Sequence, residues 1–308
     1  MAENDLIGVV TVTYNSSSVL ADFLQCVSEQ THHNFLLFAV DNASSDETVS
    51  ILRRSSDHRL RIIANPDNRG VAEGNNQGIR AALQSGCTAV LLLNNDTEFG
   101  HDLFAKLLDG LVLNSVEMTC PKMLYHDEPN RIWAAGGTFH SWLGFRSSHF
   151  GEDELDHGQY DKPRLVTYVP TCCVLIQKLV FEKVGLMDAR YFVYMDDVDF
   201  MYRAMKKGVK LMYLPDTLLY HKIGRLTGGE ESPFNVRYNN RNRVFFLIKH
   251  FGLLRSIPML LLNQIVYARR LLSGKLSLRV YWMKQKAVRE GIMLSLRKNT
   301  NHADICPQ

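Results

Sequence analysis

Asn34-Phe35-Leu36-Leu37-Phe38-Ala39-Val40-Asp41-Asn42 is an unbroken apolar run of strand length that stops on a carboxylate. Such a run, bounded by polar residues, reads as a strand buried inside a parallel sheet. The pattern repeats on both sides of it. Upstream, Ile7 to Thr13 is a strand and Val19 to Glu29 a helical stretch. Downstream, Ser44-Ser45-Asp46-Glu47 has the spacing of a capping box that opens a helix toward Arg54. Leu60 to Ala64 is the next strand, Val71 to Gln84 a helix in spite of Gly74 and Gly78, and Ala89 to Leu93 a short central strand. Strand and helix alternate through the first third of the chain, which implies parallel βαβ units and an α/β fold.

In open α/β sheets ligands bind at the carboxyl ends of the strands. Two acidic stations stand there, Asp41 and the Asp96 of Leu93-Asn94-Asn95-Asp96-Thr97, and a third follows in Tyr194-Met195-Asp196-Asp197-Val198-Asp199. Carboxylates gathered in one crevice can hold a divalent cation, orient a nucleotide and accept a proton. Those are the tasks of an enzyme that displaces a nucleotide diphosphate.

The 308 residues are 46% hydrophobic and 22% charged, an ordinary globular composition that excludes disorder. Met1 leads almost directly into a strand, so a cytoplasmic protein is expected. Six cysteines without regular spacing, two of them adjacent at Cys172-Cys173, match neither a disulfide framework nor a zinc site and read as packing residues. Asp127 to Lys162 lacks a sustained period and reads as loops and short strands, a natural place for acceptor-selecting segments. Val166 to Gln177 is a strand candidate, Leu179 to Val184 a short helix, and Val198 to Lys207 a helix ended by Gly208. Val209 to Leu214 returns to the sheet and delivers His221.

Thr13-Tyr14-Asn15, Val40-Asp41-Asn42 with Ser44-Ser45-Asp46, Asn68-Arg69-Gly70 with Asn75-Asn76-Gln77-Gly78, Asn94-Asn95-Asp96, Gly185-Leu186-Met187-Asp188, Asp196-Asp197 with Arg203, and His221 follow one another in a meaningful order. From Ile7 to about Gly229 the chain resembles bacterial family-2 glycosyltransferases, especially rhamnosyltransferase-like members. The resemblance implies a GT-A fold with a central, mostly parallel sheet, and inverting, metal-assisted transfer of a sugar from a nucleotide-diphosphate donor. The acceptor it implies is a hydroxyl of a glycan or lipid-linked glycan in cell-surface polysaccharide synthesis, and the donor tilts toward dTDP-rhamnose with UDP-hexoses next. A catalytically impaired nucleotide-sugar-binding protein and a nucleotidyltransferase are the competing readings. The latter lacks the basic glycine-rich loop it would need after the first strand.

The resemblance also distributes roles. Thr13, Tyr14, Asn15 and Asp41 would contact base and ribose, Gly70 would let backbone approach the nucleotide, and Arg69 would neutralise phosphate or orient loops. Asn94 and Asn95 lead to Asp96, which with His221 would hold Mn2+ or Mg2+, the imidazole leaning toward manganese. Asn94 stands where the family usually has a first aspartate, and Asp196 where it usually has glutamate. Asp197 would be the general base, Asp196 its supporting neighbour, and Asp188 a loop-fixing or acceptor-contacting residue. Arg225 or Lys222 would add positive charge at the diphosphate. Asp199 reads as a partner of Arg203 four residues on, or as a helix cap.

The chain divides by composition into a catalytic part, residues 1–234, and a basic helical extension, residues 235–308. From Arg237 to Lys298 fourteen basic residues face the single acid Glu290. They are interleaved with apolar residues such as Phe245, Phe246, Leu254, Leu261, Tyr267 and Leu272. This pattern fits an anionic membrane surface at the inner face of the cytoplasmic membrane, or burial against the catalytic part or a second subunit in a homodimer. No nucleic-acid partner is expected.

Overall fold

A computed structural model describes residues 5–222 and 232–297. The chain begins β1 (Ile7–Thr13), α1 (Ser17–Ser28), β2 (Phe35–Asp41), α2 (Thr48–Arg54), β3 (Leu60–Ala64), α3 (Gly70–Gln84) and β4 (Ala89–Leu93). It continues through β5 (Thr97–Phe99), α4 (Leu103–Asn114), β6 (Met118–Tyr125), β7 (Ile132–Ala134), β8 (Gly137–His140), β9 (Arg146–His149), β10 (Arg164–Val166) and β11 (Cys173–Gln177). α5 (Lys178–Val184), α6 (Asp196–Lys206), β12 (Leu211–His221), α7 (Pro233–Phe251), α8 (Leu253–Leu272) and α9 (Leu278–Leu296) complete it.

The main sheet has the order β10-β12-β6-β11-β4-β1-β2-β3, with β5 on β12 and β7 on β6. β1 pairs parallel with β2 and β4, β2 with β3, and β12 with β6. β11 runs antiparallel between β4 and β6, so β6 points the same way as β4. β1, β2, β4, β6 and β12 therefore present their carboxyl ends along one edge. Parallel strands so covered are apolar throughout, and every residue of β4 is buried. A separate hairpin pairs β8 with β9.

Several expectations change. The run Val166 to Gln177 is two strands, β10 and β11: the chain bends at Thr167, Tyr168 makes only an isolated bridge to Gly137, and a turn at Thr171-Cys172 follows Pro170, which has no N–H for a ladder. β12 extends past Leu214 to His221 through a register shift between Leu214 and Leu218. Gly74 and Gly78 lie in α3 where it crosses β1, and a Cβ at Gly78 would sit 2.3 Å from Val10 Cγ1. They are the contact surface of the helix, not weak points in it. In the extension, Phe245 and Phe246 of α7 belong to the main core, so α7 packs as part of the catalytic body. Among the described residues no helix is long and apolar enough to cross a membrane.

Candidate active site

β1 and β2 end in register, Thr13 opposite Asp41. Thr13 Oγ1 donates to Asp41 Oδ1 at 2.9 Å, and Asp41 also accepts from the Ser44 backbone N–H at 2.9 Å and its hydroxyl at 2.6 Å. Ser44 thus folds back on the acid, and the expected capping box does not form: α2 starts at Thr48 with no side-chain cap bond. Asp46 supplies that turn's acceptor instead, taking the Thr48 N–H at 3.0 Å and the Ser17 N–H at 3.0 Å. Burial alone would raise its carboxyl, but the bonds from Ser17 and Thr48 prevail and hold it at about 2. Asn15, at φ 50°, accepts the Ser45 N–H at 2.8 Å and ties the two loops together. Of the expected base contacts Tyr14 is the accessible one, 48% exposed, while Thr13 and Asp41 are buried.

At the other end of the edge, β5 pairs with β12 so that Thr97 lies opposite His221. This brings Asp96 Oδ1 to 3.2 Å from His221 Nε2. Asn94 and Asn95 fasten the loop to both neighbouring strands: the Asn94 N–H donates to the Cys172 carbonyl at 2.8 Å, and Asn95 Nδ2 to the Val12 carbonyl at 2.6 Å. Burial favours neutral His221, yet Cys172 and Asp96 beside it favour the charged ring and push it up to about 10. A carboxylate oxygen and an imidazole nitrogen converging this closely suit manganese or magnesium, with a donor's diphosphate and water filling the remaining positions. Among the described residues no group of three or more His, Cys, Asp or Glu side chains forms a complete protein cage. Lys222 does not serve here, because its ammonium is bound by Asp22 at 2.6 Å and Glu98 at 2.5 Å. Arg225 lies outside the described residues.

Asp196 and Asp197 open α6, the first buried and the second half-buried. Asp197 Oδ2 accepts the Tyr168 hydroxyl at 2.7 Å and Oδ1 the Val198 N–H at 2.7 Å. Asp196 Oδ2 is buried without a hydrogen-bond partner. Burial first, and then the Asp197 charge, push Asp196 up to about 8. Burial raises Asp197 as well, opposed by the Tyr168 hydroxyl and the Val198 N–H. Both carboxyls are thus raised, and of the two Asp196, whose Oδ2 has no partner, holds a proton the more readily. A row of rings joins this pair to the other centre: His149 stacks on Tyr168 at 5.6 Å, Trp133 meets His149 at 5.4 Å, and Trp133 covers His221 at 4.5 Å.

Residues 8–185 match the family described as Glycosyl transferase family 2. The chain belongs to that family. N-acetylglucosaminyl-diphospho-decaprenol L-rhamnosyltransferase of Mycobacterium tuberculosis is 24% identical over 306 residues, covering 92% of this chain and 95% of that one. The dTDP-rhamnosyl transferase RfbF of Shigella flexneri is 24% identical over 267 residues, covering 82% and 84%. A structure of GalNAc-T7 with UDP, GalNAc and Mn2+ superposes with a TM-score of 0.63 at 15% identity, over 94% of this chain and 56% of that one. The mannosyltransferase PcManGT of Pyrobaculum calidifontis, in complex with GDP-Man and Mn2+, gives a TM-score of 0.53 at 14% identity, over 94% and 84%. The fold of this glycosyltransferase is GT-A.

Sequence reasoning missed what holds the acid pair of this family-2 enzyme in place. Phe192, Tyr194 and Met195, just before Asp196, have φ of 67°, 62° and 64°, a conformation that costs of order 1–3 kcal/mol per residue and persists only when its surroundings over-determine it. The Phe192 carbonyl accepts from the N–H groups of Val71 and Ala72 at 2.6 and 3.3 Å. Gly70 makes room for this: at φ +79°, a Cβ there would lie 2.4 Å from the Phe192 carbonyl oxygen. Its close approach is thus to the acid loop, while Arg69 pairs with Asp67 at 2.7 Å. Asn76 exchanges two 2.9 Å bonds with the Met187 backbone. From α7, Asn242 Nδ2 faces the carbonyls of Tyr191, Val193 and Tyr194 at 2.9, 2.7 and 2.8 Å. Asp188 is bound by Arg190 at 2.6 Å and Lys249 at 2.8 Å. Asp199 pairs with Arg203 at 2.8 Å as expected, and also with Lys249 at 2.6 Å and His250 at 2.7 Å. Burial opposes its charge, but His250, Arg203 and Lys249 hold its carboxyl well below the usual range.

Proposed function

We propose that this glycosyltransferase is inverting and depends on a divalent cation, moving a sugar from a nucleotide-diphosphate donor, dTDP-rhamnose first among candidates, to a hydroxyl of a lipid-linked glycan. The rhamnosyltransferase names of the relatives motivate the sugar. The observation that carries the mechanism is the pair of centres on one crevice, Asp96 with His221 and Asp196 with Asp197, bridged by Tyr168, His149 and Trp133. Tyr14 would stack on the base and the Thr13–Asp41 pair would take its polar edge, with Arg69 beside it. Mn2+ or Mg2+, held by Asp96 and His221, would supply positive charge to the departing diphosphate. Asp197, oriented by the Tyr168 hydroxyl, accepts the acceptor hydroxyl's proton as that oxygen bonds to the anomeric carbon from the face opposite the leaving group. One displacement on that geometry inverts the anomeric centre. Asp196, whose carboxyl is raised by burial and by the Asp197 charge, is the member of the pair that more readily keeps a proton. In this reading the enzyme works at the cytoplasmic face of a membrane, in the assembly of a cell-surface polysaccharide.

A thermal-shift panel of nucleotide sugars tests this reading. With ligand in about 100-fold excess over Kd, stabilisation of a few kcal/mol is expected. The account expects dTDP-rhamnose to raise the melting temperature only with Mn2+ or Mg2+, Asp96→Ala to abolish the shift and His221→Ala to reduce it. A shift that survives chelation removes the cation from the account.

A further inference from the structure

Two helices are left unused by the active site. α8 buries only Ser256, and Leu254, Ile257, Leu261, Ile265 and Leu272 recur along one face of it, with Leu254 81% and Leu272 87% exposed. At about 100° per residue, Arg255, Arg269 and Arg270 fall roughly 60–160° to one side of that stripe. α9 turns Ala287 and Gly291 inward, where a Cβ on Gly291 would stand 2.4 Å from the Arg241 carbonyl oxygen of α7. Its outward face mixes Leu278, Trp282, Met293 and Leu296 with Arg279, Lys286 and Arg289. The one acid in these two helices, Glu290, is taken by Arg237 at 2.8 Å.

We propose that the outward faces of α8 and α9 form a docking surface for an anionic phospholipid bilayer, an inference that rests on the lipid-linked acceptor proposed above. Exposed apolar patches of this extent mark interaction sites, and the surrounding cations choose the partner. A second copy of this chain, meeting the first about a two-fold axis, would set one basic face against another. Phosphate headgroups neutralise the same cations, while leucine, isoleucine and tryptophan side chains enter the acyl boundary. Phe245 and Phe246, once expected to join such an interface, face the core, so the surface starts after Gly252. Because α9 packs on α7, and α7 carries Asn242 and Lys249 to the acid loop, a docked surface fixes how the acid pair faces the bilayer.

Flotation of the full chain with vesicles tests the proposal, alongside the variants Leu261→Asp/Ile265→Asp and Arg269→Glu/Arg270→Glu. Phosphatidylglycerol-containing vesicles should capture the wild type at low salt, at least tenfold better than at high salt or with neutral phosphatidylcholine vesicles. Both variants should bind at least tenfold more weakly at an unchanged melting temperature. They should keep their turnover on a water-soluble acceptor within twofold of wild type. No capture of the wild type at low salt, variant binding equal to wild type, or a solution dimer that Leu261→Asp/Ile265→Asp dissociates would each overturn it. Salt-sensitive capture without sugar transfer from any donor would support the docking surface while removing the enzyme reading on which it leans.

Discussion

Asp196 and Asp197 are neighbours in sequence yet differ in what surrounds them. Tyr168 and the Val198 N–H satisfy Asp197, whereas Asp196 Oδ2 is buried with no partner, and the proton settles on the group that ionisation would cost most. Because the carboxyl of Asp196 is raised to about 8, the folded chain binds a proton that the unfolded chain has released between the ordinary carboxyl range and that pH. Stability from this group is therefore lost as pH rises through the window, with a slope approaching about 1.4 kcal/mol per pH unit. Asp199 has the opposite sign, its carboxyl being held low, so its contribution is lost only as pH falls through the acid range. Asp196→Asn should then flatten the decline of melting temperature between pH 5 and pH 8 relative to wild type. An unchanged slope would mean that Asp196 is ionised in the fold. The roles expected of these acids were legible in the sequence through its resemblance, but which of the two their surroundings raise more was not. It depends on Tyr168, which lies 29 residues away at the break between two strands.

α3 shows why some element choices could be read and others could not. Its boundaries follow from apolar period, and its two interior glycines look like a penalty until β1 is placed beneath them. Gly78→Ala gains roughly 1 kcal/mol of helix propensity, but its Cβ would sit 2.3 Å from Val10 Cγ1 in a packed interface. Overpacking costs about 1–3 kcal/mol, so the variant should melt lower than wild type; a higher melting temperature would show that α3 can shift. α4 and β6 went unread because Leu103 to Tyr125 is apolar on several faces, with Pro121 inside the strand, and period alone does not separate helix from strand there. α7 looked like the start of a detached extension because its basic residues were counted by charge. In the fold Lys249 and His250 close on Asp199, and Asn242 holds three carbonyls of the strained loop. Asn242→Ala should lower kcat at least tenfold while leaving the KM for donor within threefold, since it misplaces Asp197 without touching the nucleotide end. Donor KM and kcat moving together, with a collapse in melting temperature, would make Asn242 merely structural.

Taken as one body, the chain joins a half proposed to face the nucleotide, β1 to β4, to a half that begins beyond β4 and brings the acid pair, His221 and the outer helices. The order of motifs exposed the first half because each sits directly after a strand. The second half depends on contacts across more than a hundred residues, such as Asn76 with Met187 and Asp96 with His221, which spacing does not reveal. The family match, ending at residue 185, stops before Asp197 and His221, so the proposed base and half of the proposed cation site lie outside it. The most direct test is therefore the stereochemistry and base dependence of a single reaction: transfer from dTDP-rhamnose to a lipid-linked glycan with Mn2+ present, the product's anomeric configuration read by NMR. The account predicts an inverted anomeric centre, with Asp197→Asn slower by about 10²–10⁴-fold and donor affinity preserved. Retention of configuration, or an Asp197→Asn enzyme as fast as wild type, would contradict it.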